Sequence, residues 1–242
     1  MAKSQQFKFS NTVLLAPLLA MLSIWTVYWL ELKLGVNLND LGVYPRKFSG
    51  LKGVLFSPFI HGSVEHLYNN TIPLAVLLAS LFYFYRNVAL RVFLIGFFLS
   101  GLLTWVISRP SYHIGASGII YVLASFIFFK GIFTKHYRLV ALSLTVVFIY
   151  GGLLWYILPI KDGISWEGHL SGFITGLLLA VLVKTPLPAE PKYSWEREDY
   201  QEEEDEFLKH FDEEGNFIEN PEASEEQIKI RYNYKRDEGH PD

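Results

Sequence analysis

Cysteine is absent from this chain, and with it go disulfides, thiolate metal sites and any cysteine nucleophile. No His-Glu-x-x-His run occurs, which excludes the helix-borne zinc pair of a metalloprotease. Acidic residues are missing from the middle of every long apolar stretch. That removes a paired-aspartate chemistry at membrane depth, and it removes the carboxylate that usually forms the third member of a serine triad. No cofactor, metal or nucleic-acid partner is expected. What is abundant is apolar surface: 51% of the 242 residues are hydrophobic. A soluble domain of that content would expose large apolar patches. Runs of about 20 apolar residues are instead the signature of membrane-spanning helices.

Six such runs are predicted, over 12–30, 66–85, 90–108, 116–133, 138–158 and 168–184. Lys3 and Lys8 precede the first, which has small residues at Ala16 and Ala20 but no clear small-x-small cleavage site, so it is read as a retained helix. The net charge of −3 conceals an asymmetry: residues 1–184 carry 14 basic and 5 acidic side chains, and residues 185–242 carry 7 basic and 19 acidic. The expected organisation is a short N-terminal cytoplasmic segment (1–11), a basic membrane body (12–184) and an acidic, mostly disordered tail (185–242). Basic residues in the loops, among them Arg86, Arg91, Lys130, Lys135, Arg138 and Lys184, favour an N-terminus inside. Six spans then put the C-terminus inside too. The outer segments hold Lys33, Arg46, Lys47, Lys52, Arg109 and Lys161, so the bias is modest.

The first loop, about 31–65, is too long for a plain connector and carries Val54, Leu55, Phe56, Phe59 and Ile60. It reads as a subdomain lying partly in the headgroup layer. Trp25, Tyr28, Trp29, Trp155, Tyr156 and Trp166 suit an aromatic belt. In the tail, beyond Pro186 and Pro188, Phe207, Phe211, Phe217, Ile218 and the 228–234 stretch are candidates for a small docking element with a cytoplasmic partner.

Chemistry is concentrated at three helix starts. His66 and Asn70 begin the second span, Ser117 the fourth and His169 the sixth. These spans run the same way, so all three clusters fall at one membrane face, within about two turns of the interface. Polar and ionisable side chains at membrane depth are costly and default to functional hypotheses. Ser117 sits in Gly115-Ala116-Ser117-Gly118; packing alone explains many such serines, but a helix N-terminus adds free N–H groups and a positive dipole end suited to an oxyanion. Serine needs a base at neutral pH, and His169 is the candidate. Gly168, Gly172 and Gly176 recur every four residues and form a close-packing face that would bring the sixth span against a neighbour. Tyr121, one turn beyond Ser117, is either a plain core or interface aromatic, the reading its position alone favours, or a ring that packs on the imidazole. His66 and Asn70, spaced i and i+4, share a helix face and either donate to an oxyanion or clamp helices together. Glu65 and Glu167 are read as interfacial charges, and His61 and Asn69 as loop or interface residues.

The ordered set resembles the rhomboid family of intramembrane serine proteases. The resemblance rests on the G-x-S-G run at Gly115–Gly118 with Tyr121 beyond it, on His169-x-x-Gly172-x-x-x-Gly176, and on His61-x-x-x-x-His66-x-x-x-Asn70. It covers about residues 10–184. It implies an all-α, six-transmembrane-helix bundle of rhomboid type, in a prokaryotic cell membrane, acting on transmembrane protein substrates with small residues at the cut site. It implies Ser117 as nucleophile, His169 as base, His66, Asn70 and the Ser117 N–H as oxyanion hole, and Tyr121 against the histidine. One departure is visible: many relatives carry a Trp-Arg pair in the first loop, where this chain reads Lys52-Gly53-Val54. Two rivals stand beside a protease. A non-catalytic rhomboid-like protein that binds or chaperones membrane clients would be expected to lack the serine or histidine. A small transporter would place polar groups nearer the midplane.

Overall fold

Apolar composition with sparse, well-placed capping residues gives a helical chain. The computed structural model describes residues 7, 9–160, 163–186, 193–196 and 198–219. Expectations resting on Lys3, Lys8, Lys161, Pro188 and 228–234 lie outside the described residues. The chain divides into two units, Met1–Pro188 and Ala189–Asp242.

The first unit holds α1 (Thr12–Leu34), α2 (Gly53–Phe56), α3 (Val64–Phe84), α4 (Arg86–Ile107), α5 (Ser117–Thr134), α6 (Tyr137–Tyr150) and α7 (Trp166–Leu182). No β-strand occurs among the described residues, only isolated bridges at Val43–His113 and Phe211–Phe217. Among the described residues, α1, α3, α4 and α5 are long and apolar enough to cross a membrane, while α6 and α7 are shorter apolar helices. Helix boundaries follow local chemistry. The Ser63 hydroxyl caps α3 by accepting from the His66 N–H at 3.1 Å. Gly35 ends α1 in the left-handed region, its N–H returning to the Glu31 carbonyl. The fifth apolar stretch was expected to run helically to residue 158, but α6 stops at Tyr150. Gly151-Gly152, poor helix formers, let the chain tighten into a 3-10 turn over Gly151–Ile157.

α5 is the most enclosed helix, with ten buried residues from Ile119 to Gly131. It packs against α3, α4, α6 and α7, whereas α1 rests mainly on α3. Lys130, buried in α5, donates its ammonium protons to the Ala180 carbonyl at 3.0 Å and to the Val183 carbonyl. It thereby satisfies carbonyls that the end of α7 leaves without helical partners.

The first loop is a run of short helical turns at Asn39–Leu41, Phe48–Lys52, α2 and Ser57–Phe59. It folds too tightly to admit a side chain at Gly53, where a Cβ would stand 2.2 Å from the Gly42 carbonyl carbon. Arg46 fastens it to the end of α4: its N–H donates to the Trp105 carbonyl at 3.1 Å and its guanidinium to the Val106 and Ser108 carbonyls at 3.1 and 2.7 Å.

In the second unit, short turns cover Ser194–Glu196, Glu202–Glu204 and Leu208–His210. Asp212 organises a further turn by accepting from the Glu214 and Asn216 N–H groups. Phe211 packs edge-on against Phe217 and at a tilt against Phe207.

Candidate active site

The starts of α3, α5 and α7 meet around one open cavity of about 710 Å³, lined among others by His66, Asn70, Ser117, Tyr121, Tyr156 and His169. Glycine makes the meeting possible. A Cβ at Gly172 would lie 2.2 Å from the Gly118 carbonyl oxygen, and one at Gly176 would lie 2.4 Å from that of Val122. Backbone therefore touches backbone along the α5–α7 contact. Gly168 differs: its nearest neighbour is the Ser165 hydroxyl at 2.9 Å, and Gly118 faces only the Gly168 carbonyl at 3.6 Å.

That contact sets His169 Nε2 2.9 Å from Ser117 Oγ. The other ring nitrogen, Nδ1, lies 2.9 Å from the Tyr156 carbonyl. A carbonyl only accepts, so Nδ1 carries the proton. Nε2 of the neutral ring then has a lone pair to accept the Ser117 hydroxyl proton. Tyr121 stacks on the imidazole, centroids 4.4 Å apart and planes within 14°. His169 is 8% exposed, so ring orientation is fixed by both its face and its edge.

The opposite wall of the cavity is built by α3 and the bend before α5. Gly115 adopts φ +103°, a region that side chains avoid, and its N–H donates to the Ser57 carbonyl at 2.9 Å. A Cβ there would stand 2.7 Å from His66 Nε2 and 3.4 Å from Asn70 Nδ2. Both side chains thus crowd the approach to Ser117. Asn70 Nδ2 is buried with no protein acceptor in hydrogen-bonding range. Ser117 is the first residue of α5; the Ile119 and Ile120 N–H groups donate to the Ala116 carbonyl at 3.0 and 3.1 Å, and those of Ser117 and Gly118 precede the helical ladder.

His61 lies behind His66, ring centroids 5.0 Å apart. It is 2% exposed. Burial, and then the positive charge His66 would carry, hold its pKa down at about 4, against the pull of the Phe59 carbonyl. Asn69 and Glu65 line the cavity.

One expectation is corrected. Glu167 is not an interfacial charge; it is 2% exposed. Its Oε1 accepts from the Arg109 N–H at 3.2 Å and faces the Arg109 guanidinium at 3.7 Å, because α7 begins beneath the loop joining α4 to α5. His113 from that loop bonds the Ser165 hydroxyl and the Arg109 carbonyl. Burial lowers its pKa against the pull of that carbonyl and of Glu167. Arg109 also donates to the Ile164 carbonyl at 2.8 Å. This cluster, which the sequence did not reveal, ties the α4–α5 loop to the start of α7. A smaller polar cavity of about 40 Å³ lies beside it, lined by Ser57, Ser100, Thr104, His113, Ser165 and Ser117 among others.

Among the described residues no cluster of three or more His, Asp or Glu side chains is arranged to hold a metal. The arrangement offers instead an alcohol beside a bare imidazole nitrogen, with hydrogen-bond donors opposite.

Residues 49–186 match the Rhomboid domain. An uncharacterized protein of Mycobacterium tuberculosis H37Rv and one of Mycobacterium bovis are each 39% identical over 166 residues, spanning 63% of this chain and 67% of theirs. One of Mycobacterium leprae is 35% identical over 164 residues, 62% of this chain and 63% of its own. A domain match over more than half the chain, on a bundle with four span-length apolar helices, makes this an integral membrane protein. The chain belongs to the rhomboid family, whose members are generally intramembrane serine proteases.

Proposed function

We propose that this protein is an intramembrane serine endopeptidase that cuts transmembrane segments of other membrane proteins with a Ser117–His169 dyad. The observation that carries the reading is the 2.9 Å approach of Ser117 Oγ to a histidine nitrogen whose partner nitrogen is already engaged. A substrate helix approaches from the bilayer and unwinds locally, since a paired helical backbone hides the scissile carbonyl. Ser117 Oγ attacks that carbonyl carbon as His169 Nε2 takes the hydroxyl proton. The oxyanion is held by His66, Asn70 and the Ser117 N–H. The C–N bond then breaks, and Nε2 returns the proton to the leaving amine. Water attacks the acyl-enzyme carbonyl as Nε2 takes its proton; the C–Oγ bond then breaks, Nε2 returns that proton to Ser117 Oγ, and the carboxylic product leaves. The polar cavity beside Ser117 has the size and lining for a water close to the ester.

In this reading α1, α3, α4, α5, α6 and α7 are the six spans of a protease domain over 12–184, flanked by a cytoplasmic segment 1–11 and a cytoplasmic acidic tail 185–242. The protein sits in the cell membrane of a prokaryote with both termini inside. The acidic tail is available to a cytoplasmic partner. Substrates carry small residues at the cut site and helix-weakening residues beyond it, by analogy with the family. A non-catalytic client-binding role is disfavoured by the presence of both serine and histidine at bonding distance. The test is labelling with a fluorophosphonate, read by mass spectrometry. Ser117 is modified in the wild type and not in His169→Ala; labelling indifferent to His169 would remove the base from the mechanism.

A further inference from the structure

A serine nucleophile and its histidine work best when a third group fixes the imidazole tautomer, and a wrong tautomer costs other serine proteases orders of magnitude in rate. No acidic side chain was expected to fill that place here. We infer that the backbone carbonyl of Tyr156 fills it: this carbonyl is the positioning group that keeps the proton on His169 Nδ1 and turns Nε2 toward Ser117. The inference rests on the proteolytic reading and adds to it a component that no side-chain motif contains.

Three observations carry it. His169 Nδ1 and the Tyr156 oxygen are 2.9 Å apart, and that oxygen can only accept. The histidine is buried and stacked on Tyr121, so the ring cannot turn to find another acceptor without losing that stacking. Finally, Tyr156 belongs to the 3-10 turn Gly151–Ile157 and lines the same cavity as Ser117 and His169. The acceptor therefore comes from a connecting turn, not from a membrane span. The dyad is in its active tautomer only while this turn is seated at the cavity wall.

The test replaces the peptide bond, since no ordinary substitution removes a carbonyl. Ile157→α-hydroxyisoleucine turns the Tyr156 carbonyl into an ester carbonyl, a weaker acceptor, and deletes one turn N–H. Leu158→α-hydroxyleucine is the matched control: it deletes the Leu158 N–H that donates to the Trp155 carbonyl at 3.3 Å and leaves the Tyr156 carbonyl an amide. The expected result is a kcat roughly 10-fold lower at unchanged KM for the first variant, as one hydrogen bond weakened in the reacting state predicts, and a control within about 2-fold of wild type. Equal loss in both, or in neither, overturns the inference. The second readout is the ring ¹⁵N spectrum of His169, assigned by its disappearance in His169→Gln. The wild type is expected to show the Nδ1–H tautomer, and the ester at 157 to give a rising share of Nε2–H. A protein that cleaves substrate with His169 as Nε2–H overturns the inference and leaves proteolysis standing. A wild type that cleaves nothing removes proteolysis, and the catalytic role of the carbonyl with it.

Discussion

Gly172→Ala is the sharpest packing test of the site. An alanine Cβ there would stand 2.2 Å from the Gly118 carbonyl oxygen and 2.9 Å from Tyr121 Cβ. Ordinary contact begins near 3.4 Å, so α7 must retreat from α5 by about 1 Å at this level. The obstacle is backbone, which cannot rotate aside. Gly172 lies one turn beyond His169, and Gly118 directly follows Ser117, so the retreat is delivered to the reacting pair. Most of it would stretch the 2.9 Å bond between Ser117 Oγ and His169 Nε2 past hydrogen-bonding range. A misplacement of about 1 Å costs on the order of 100-fold in rate. Overpacking adds about 1–3 kcal/mol of destabilisation. The assay is the second-order rate of fluorophosphonate labelling in detergent, alongside thermal melting. Gly176→Ala meets the Val122 carbonyl at 2.4 Å but lies a turn further from the histidine. It should lose similar stability and less reactivity. Gly118→Ala, with its nearest contact at 3.6 Å, should melt near wild type. A folded Gly172→Ala protein that labels at the wild-type rate would refute the claim that this glycine contact sets the dyad distance.

Two further outcomes are expected. Asn70→Ala removes one of the proposed oxyanion donors and should lower kcat by roughly 100- to 1,000-fold. Because it deletes a buried Nδ2 that has no protein acceptor, melting should be unaffected; wild-type turnover in a cleavage assay would dismiss the role. His61, with its pKa lowered from 6.5 to about 4, is neutral when folded. The unfolded chain therefore binds its proton first as pH falls. Stability is full above about pH 6.5 and is lost between there and about pH 4, by about 3 kcal/mol in total. His61→Gln should flatten part of the acid-side fall in melting temperature; an unchanged pH profile would count against a buried neutral His61.

Much of this architecture is written in side-chain patterns. The apolar runs mark the helices to within a few residues, except at the end of α6, which stops at Tyr150 and not at 158. The alternation of chain direction assigns His66, Asn70, Ser117 and His169 to one face, where the fold brings them around a single cavity. The glycines at 172 and 176 announce a close helix contact by their spacing, because only hydrogen fits between two backbones. What escaped the sequence is of another kind. The end of α6 at Tyr150 is signalled only by Gly151-Gly152 inside an otherwise apolar stretch. Arg46 and Arg109 act on backbone carbonyls, which every residue possesses and no motif distinguishes. Glu167 reads as a surface acid until the α4–α5 loop is seen to fold over it. The Tyr156 carbonyl, too, is visible only in three dimensions.

The central claim is that Ser117, activated by His169, cuts helices within the bilayer. It is tested most directly by reconstituting purified wild-type and Ser117→Ala proteins in liposomes with a transmembrane substrate carrying a helix-destabilised segment, and quantifying cleavage by mass spectrometry. The account predicts a defined cut from the wild type and none above background from Ser117→Ala. Equal cleavage by both, or an intact substrate with each, would contradict it.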